Sequence, residues 1–149
     1  MIALRIFPDD VLREKSIGIS RIDSSIRRLA QSMLDIMYEN CGVGLAAPQV
    51  GMLKRMIVID DHTRGLRNPL ILINPELIKK EGSIVGTEGC LSFPEVFFEV
   101  KRHNNITVTY QDLSGETINL HVMDNLLCRI IQHEMDHLDG ILFIDRRKK

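Results

Sequence analysis

Three observations predict an α+β fold. A segment with helical periodicity comes early, short strand-length runs fill the middle, and a second helical segment carries paired histidines near the end. Strands and helices do not alternate regularly, so the βαβ order of a parallel sheet is missing. At 149 residues, with 44% hydrophobic side chains, the chain is expected to form one domain, 1–149, with a substantial core.

The first helix is predicted from Asp23-Ser24-Ser25, which offer N-caps. Ile26, Leu29, Ala30, Met33, Ile36 and Met37 follow at the spacing of one helical face. It should stop near Asn40, before Gly42 and Gly44. "RMIVID" (55–60) and "LILINP" (70–75) read as buried strands joined by a polar loop. "ITVTYQD" and "ETINLHV" flank Leu113-Ser114-Gly115 and form the clearest hairpin. The second helix is expected to start at Asp124 as N-cap and to end at Gly140.

A net charge of −1 gives no global field favouring DNA or an anionic membrane. The one like-charge run, Arg146 to Lys149, reads as a solvated end, with an acidic partner such as RNA as the alternative. The first residues lack the basic and long apolar regions of a secretory signal, and no run is long enough to span a bilayer. The cysteines (Cys41, Cys90 and Cys128) are odd in number and show no short paired spacing. A reducing cytoplasm is therefore expected rather than a disulfide framework.

Chemistry enters with "QHEMDH" (132–137). On a helix His133 and His137 project from one face a turn apart, which suits two imidazole bonds to one metal ion. Glu134 lies about 100° around the helix and would serve as a base rather than a ligand. The pattern can arise by chance in a chain with five histidines, so a third ligand decides its meaning. The downstream histidine of one protease class would fall at position 143, which is Phe143, and no glutamate follows Glu134. Asp145 is a weak remainder, so the third ligand should lie upstream.

Among upstream candidates Cys90 leads, in "TEGCLSFP", flanked by Gly89 and the rigid Pro94. A thiolate with two imidazoles leaves an open position, as in catalytic sites. Cys128 falls off the histidine face and Cys41 reads as a helix end. A third segment, "GVGLAAPQVG" (42–51), reads as a loop of small residues presenting one amide, Gln49. It matches no phosphate-binding pattern.

These segments together resemble the peptide deformylase family, marked by GxGLAAxQ, EGCLS and HExxH in that order. Here they read "GVGLAAPQ" (42–49), "EGCLS" (88–92) and "HEMDH" (133–137), with weaker similarity along nearly the whole chain. The resemblance implies antiparallel β-sheets packed around a metal-binding α-helix. It also implies hydrolysis of the N-formyl group from the formylmethionine of new polypeptides.

Carried over, it makes Cys90, His133 and His137 the ligands and Glu134 the general acid/base. The Gln49 amide and the Leu91 backbone N–H would bind the formyl oxygen. Val43, Gly44, Leu45, Leu126, Arg129 and Ile130 would contact substrate, although several are equally credible as core, and Arg129 as a solvated side chain. Arg102 is expected to pair with an acid such as Glu88. The ligand set suits Fe(II), Zn(II), Co(II) or Ni(II), and the family implies ferrous iron. The implied partners are N-formylmethionyl nascent peptides and, transiently, the ribosome. Many members continue past "LFID" into a further helix that this sequence does not show, which puts tail-mediated ribosome contact in question. A cytoplasmic monomer is expected. The rival readings are an HExxH zinc endopeptidase and an inactive metal-binding homologue.

Overall fold

Two helices enclose the centre of an antiparallel sheet. The structure, a computed structural model, describes residues 2–65 and 67–149. Helix α1 spans Ser24–Glu39, and the Asp23 carboxylate caps it by accepting from the backbone N–H of Ser25 and Ile26. Its buried face carries Ile26, Leu29, Ala30, Met33, Leu34 and Met37. Asn40 closes it and Cys41 turns left-handed at φ 56°, which accounts for the predicted stop.

The strands are β1 (Gly44–Ala46), β2 (Met56–Ile59), β3 (Leu70–Glu81), β4 (Ile84–Cys90), β5 (Phe93–Arg102), β6 (Asn105–Gln111) and β7 (Thr117–Met123). Five form a sheet in the order β1-β2-β3-β6-β7, with antiparallel pairing throughout. A separate two-stranded sheet joins β4 to β5. Helix α2 spans Leu126–Leu138. The predicted α+β class and antiparallel pairing are both present.

Strand β2 explains why "MIVI" shows no alternation. Met56 and Val58 pack with α1 residues, while Ile57 and Ile59 pack with α2 residues, and all four are fully buried. A strand covered on both faces reads as a continuous apolar run. The neighbouring β1 repeats this on a smaller scale, with Leu45 towards α1 and Ala46 towards α2.

Several boundaries differ from expectation. Strand β3 runs beyond Pro75 to Glu81, because the pairing with β6 breaks between Ile73 and Glu76, where Asn74 takes φ 52°. A bulge needs no N–H from proline. The Asn74 side chain instead bonds both backbone groups of Ile19, at 2.8 Å each. Asn125, not Asp124, caps α2, its side chain accepting from the N–H of Cys128. Asp124 is left-handed at φ 55° and sits just outside.

The segment 42–51, expected as a loop, contains β1 and a 3-10 turn over Ala47–Val50. Its small residues are there because α2 lies close against it: a Cβ on Gly44 would stand 2.6 Å from Glu134 Oε2 and 2.8 Å from Ile130 Cγ2. No helix among the described residues is long and apolar enough to cross a membrane.

Candidate metal centre

The second helix delivers both histidines to one point. His133 and His137 are buried on α2, with ring centroids 5.2 Å apart. Cys90 arrives from the other sheet, at the end of β4. There the pairing with β5 shifts register between Gly89 and Cys90, which redirects the chain through Leu91-Ser92. One ligand atom each from Cys90, His133 and His137 lie within 4.8 Å of one another, and Cys90 Sγ is 3.4 Å from His137 Nε2.

The surroundings set the imidazole states. His133 Nδ1 lies 2.8 Å from Glu88 Oε1, so this nitrogen carries the proton for an acceptor-only carboxylate. Its Nε2 is thereby turned to the sulfur side. Burial disfavours charging His133, but the neighbouring Glu134 carboxylate, the Cys90 sulfur and Glu88 outweigh it and raise its pKa to about 10. Surroundings that hold a proton this firmly also attract a metal cation. Burial and the adjacent His133 keep His137 well below its ordinary value, as a neutral ring.

Glu134 is buried beside these groups, and its Oε1 has no protein partner among the described residues. Desolvation pushes its pKa up to about 7. A carboxyl poised near neutrality, with one oxygen unclaimed, is suited to taking and returning a proton. Gln49 is fixed by its own turn: Oε1 accepts from the Ala46 N–H at 2.9 Å. Its Nε2 donates to Ser92 Oγ at 3.1 Å and more weakly to Cys90 Sγ at 3.5 Å.

Glu88 was foreseen as the partner of Arg102, and the ion pair is present, with Nε to Oε2 at 2.8 Å and Nη2 to Oε1 at 2.9 Å. Its bond to His133 escaped sequence reasoning, although Glu88 stands inside the EGCLS motif. Burial opposes its charge, but Arg102 and His133 hold its carboxyl far below the usual range.

A cleft of about 600 Å³ opens onto the cluster and is lined by Val43, Gly44, Gln49, Cys90, Leu91, His133 and Glu134, with Phe97 at its rim. Four residues assigned to substrate contact do not line it. Leu45 is wholly buried in the core under α1. Leu126 and Arg129 line a different, smaller groove beside β4. Arg129 neither rims the cleft nor is solvated: its guanidinium reaches Glu88 Oε2 at 2.6 Å, because an unpaired cation beside that buried carboxylate would be the costlier arrangement. Ile130 packs against Gly44, behind the cleft wall.

Two buried polar atoms without protein partners among the described residues, His137 Nδ1 and Glu134 Oε1, flank a thiol and two imidazoles converging on one point. This donor set fits a divalent first-row ion. The polypeptide deformylase family model matches residues 1–149. The chain belongs to the polypeptide deformylase family.

Among the deformylases it is 51% identical to peptide deformylase 2 of Gloeobacter violaceus, over 97% of this chain and 78% of that one. To the peptide deformylase of Syntrophomonas wolfei it is 46% identical, over 93% and 88% of the two chains. The crystal structure of the Thermotoga maritima deformylase superposes with a TM-score of 0.94 at 39% identity, covering 100% of this chain and 99% of that one. The Synechococcus elongatus deformylase, solved in complex with actinonin, gives 0.92 at 45% identity, covering 99% and 79%.

Proposed function

We propose that the protein is a metal-dependent hydrolase that removes the N-formyl group from the N-terminal formylmethionine of newly made polypeptides and releases formate. The observation that carries this reading is the meeting of Cys90, His133 and His137 beside a buried Glu134 whose Oε1 has no protein partner among the described residues. Family membership supplies the substrate: relatives over nearly the full chain are named peptide deformylases.

Cys90, His133 and His137 would hold the ion. When bound, it supplies Lewis acidity, which makes hydroxide available near neutral pH and polarises the formyl carbonyl. Glu134 Oε1 accepts the proton of the attacking water. It then returns that proton to the departing amine. The Gln49 amide stands at the same wall, and exchanging its weak contact with Cys90 Sγ for the formyl oxygen would place a donor where negative charge develops. Leu91, in the turn after Cys90, offers a backbone N–H to that oxygen. Val43 and Gly44 line the approach and would contact the methionine and its backbone. Burial of Gln49, His133, Glu134 and His137 limits competing water around the proton-transfer group.

Ferrous iron is the proposed native ion, with zinc, nickel or cobalt as substitutes. The protein would work as a monomeric catalytic domain in the cytoplasm, on nascent chains and in passing contact with the ribosome.

The test is an anaerobic assay of formate release from formyl-Met-Ala-Ser by Fe(II)-reconstituted protein, with metal analysis of the same sample. Stoichiometric metal and steady formate release are expected. Absence of formate, or cleavage of internal peptide bonds instead, would overturn the reading and favour an HExxH endopeptidase or an inactive homologue.

A further inference from the structure

Glu88 is shared more widely than an ion pair requires. Its Oε1 accepts from Arg102 Nη2 at 2.9 Å and lies 2.8 Å from His133 Nδ1; Oε2 accepts from Arg102 Nε at 2.8 Å and Arg129 Nη1 at 2.6 Å. Each oxygen thus has two partners, which fills the carboxylate. Arg129 does more than complete this set. Its Nη1 also donates to the Val100 carbonyl at 2.9 Å, on β5, and Nη2 donates to the Ile84 carbonyl at 3.0 Å, on β4.

The placement of Arg129 in the chain gives these bonds their meaning. It lies one helical turn before His133 on α2, while Glu88 lies two residues before Cys90 on β4. One guanidinium therefore joins the helix that presents both imidazoles to the hairpin that presents the sulfur. A planar fork can hold three acceptors on two strands at once, which a lysine ammonium on its flexible stem cannot reproduce. Gly86 leaves room for it: a Cβ there would stand 3.0 Å from Arg129 Cζ, Nε and Nη2.

We propose that Arg129 is a positioning residue for the metal, clamping β4 and β5 onto α2 so that Cys90 and the two histidines meet at bonding distance. The inference rests on the ligand set proposed above. Without Arg129, Glu88 Oε2 keeps a single donor and the carboxylate gains freedom to turn, carrying its bond to His133 with it. The carbonyls of Val100 and Ile84 also lose their tie to the helix.

Metal-stripped protein titrated with Co(II) against a competing chelator tests this without reference to turnover. The thiolate charge-transfer band reports the sulfur bond and the ligand-field bands report the geometry. Arg129→Met is expected to weaken Co(II) binding about tenfold and shift the ligand-field bands, as loss of a supporting partner does at other metal sites. Arg129→Lys should not restore the parent spectrum. Gly86→Ala keeps every charge but obliges the guanidinium to shift by a few tenths of an ångström against its acceptors, so it should weaken binding in the same sense and by less. In the Arg129→Met background it should add nothing.

Parent-like affinity and spectrum in Arg129→Met, or independent effects of the two changes, would overturn the clamp. A parent protein that binds Co(II) without a thiolate band would instead overturn the ligand set, and the clamp with it.

Discussion

Glu88 lies 2.8 Å from the imidazole Nδ1 of His133, and the same carboxylate anchors buried Arg102 and partly buried Arg129. One acidic side chain therefore couples the ring state at the candidate metal centre to the joint between the β4–β5 hairpin and helix α2. Replacing it by alanine leaves the buried Arg102 guanidinium without its bidentate partner and, among the described residues, with only Asp136 to pair it, Nη1 to Oδ2 at 2.6 Å. Glu88→Ala is expected to cost about 3–5 kcal/mol of stability. Urea unfolding of the metal-free protein measures this, and a loss below about 1 kcal/mol would show that the network is not structural.

Glu134→Ala should separate binding from chemistry. The carboxylate stands beside the cluster with one oxygen unpartnered and is not needed as a ligand. Metal content should stay stoichiometric while kcat falls by about 100- to 10,000-fold. Metal analysis and formate release on one preparation decide it, and a metal-free variant would make Glu134 a ligand.

Gln49→Leu removes the donor at the cleft wall and also leaves the Ala46 N–H and Ser92 hydroxyl without this partner. A loss of about 100-fold in kcat is expected, with KM little changed. A change confined to KM would point to ordinary substrate binding.

Gly44→Ala tests the close approach of β1 and α2. The added methyl meets Glu134 Oε2 at 2.6 Å and Ile130 Cγ2 at 2.8 Å, so the helix or the glutamate has to move. A stability loss of about 1–3 kcal/mol is expected, together with a fall in kcat. Unchanged kinetics would mean that Glu134 has slack in its position.

Tyr38 and Asp60 should shape the alkaline limb of stability. The Tyr38 hydroxyl donates to the buried Asp60 carboxylate, and burial followed by this bond pushes its pKa up to about 12. A raised folded pKa means that the native state holds the proton more firmly than the unfolded chain does. The contribution is whole below about pH 10 and is lost as pH climbs towards 12. Urea midpoints measured between about pH 8 and 12 should fall more steeply in the parent than in Tyr38→Phe, and parallel curves would contradict the assignment.

Helix α1, the hairpin β6–β7 and the buried β2 were all legible in the sequence, because each carries a local periodicity or cap that tertiary packing then uses. The two histidines were legible through the spacing in HExxH, and Cys90 through its place in EGCLS; the three side chains do converge. The extension of β3 was not, since Pro75 looks like a stop unless a bulge absorbs it. Strands β4 and β5 were hidden because glycines and charged residues interrupt them. Arg129 escaped for a different reason. Whether a cation rims a cleft or anchors a buried acid depends on a partner 41 positions away, which no local pattern encodes.

The sulfur and the second imidazole are separated by 47 positions, on pieces that share no sheet. While a ribosome is still extruding the stretch after β5, the thiol has nothing to chelate with. An incomplete copy of this chain thus lacks the proposed ligand set, and that set is complete only after synthesis has passed the last histidine.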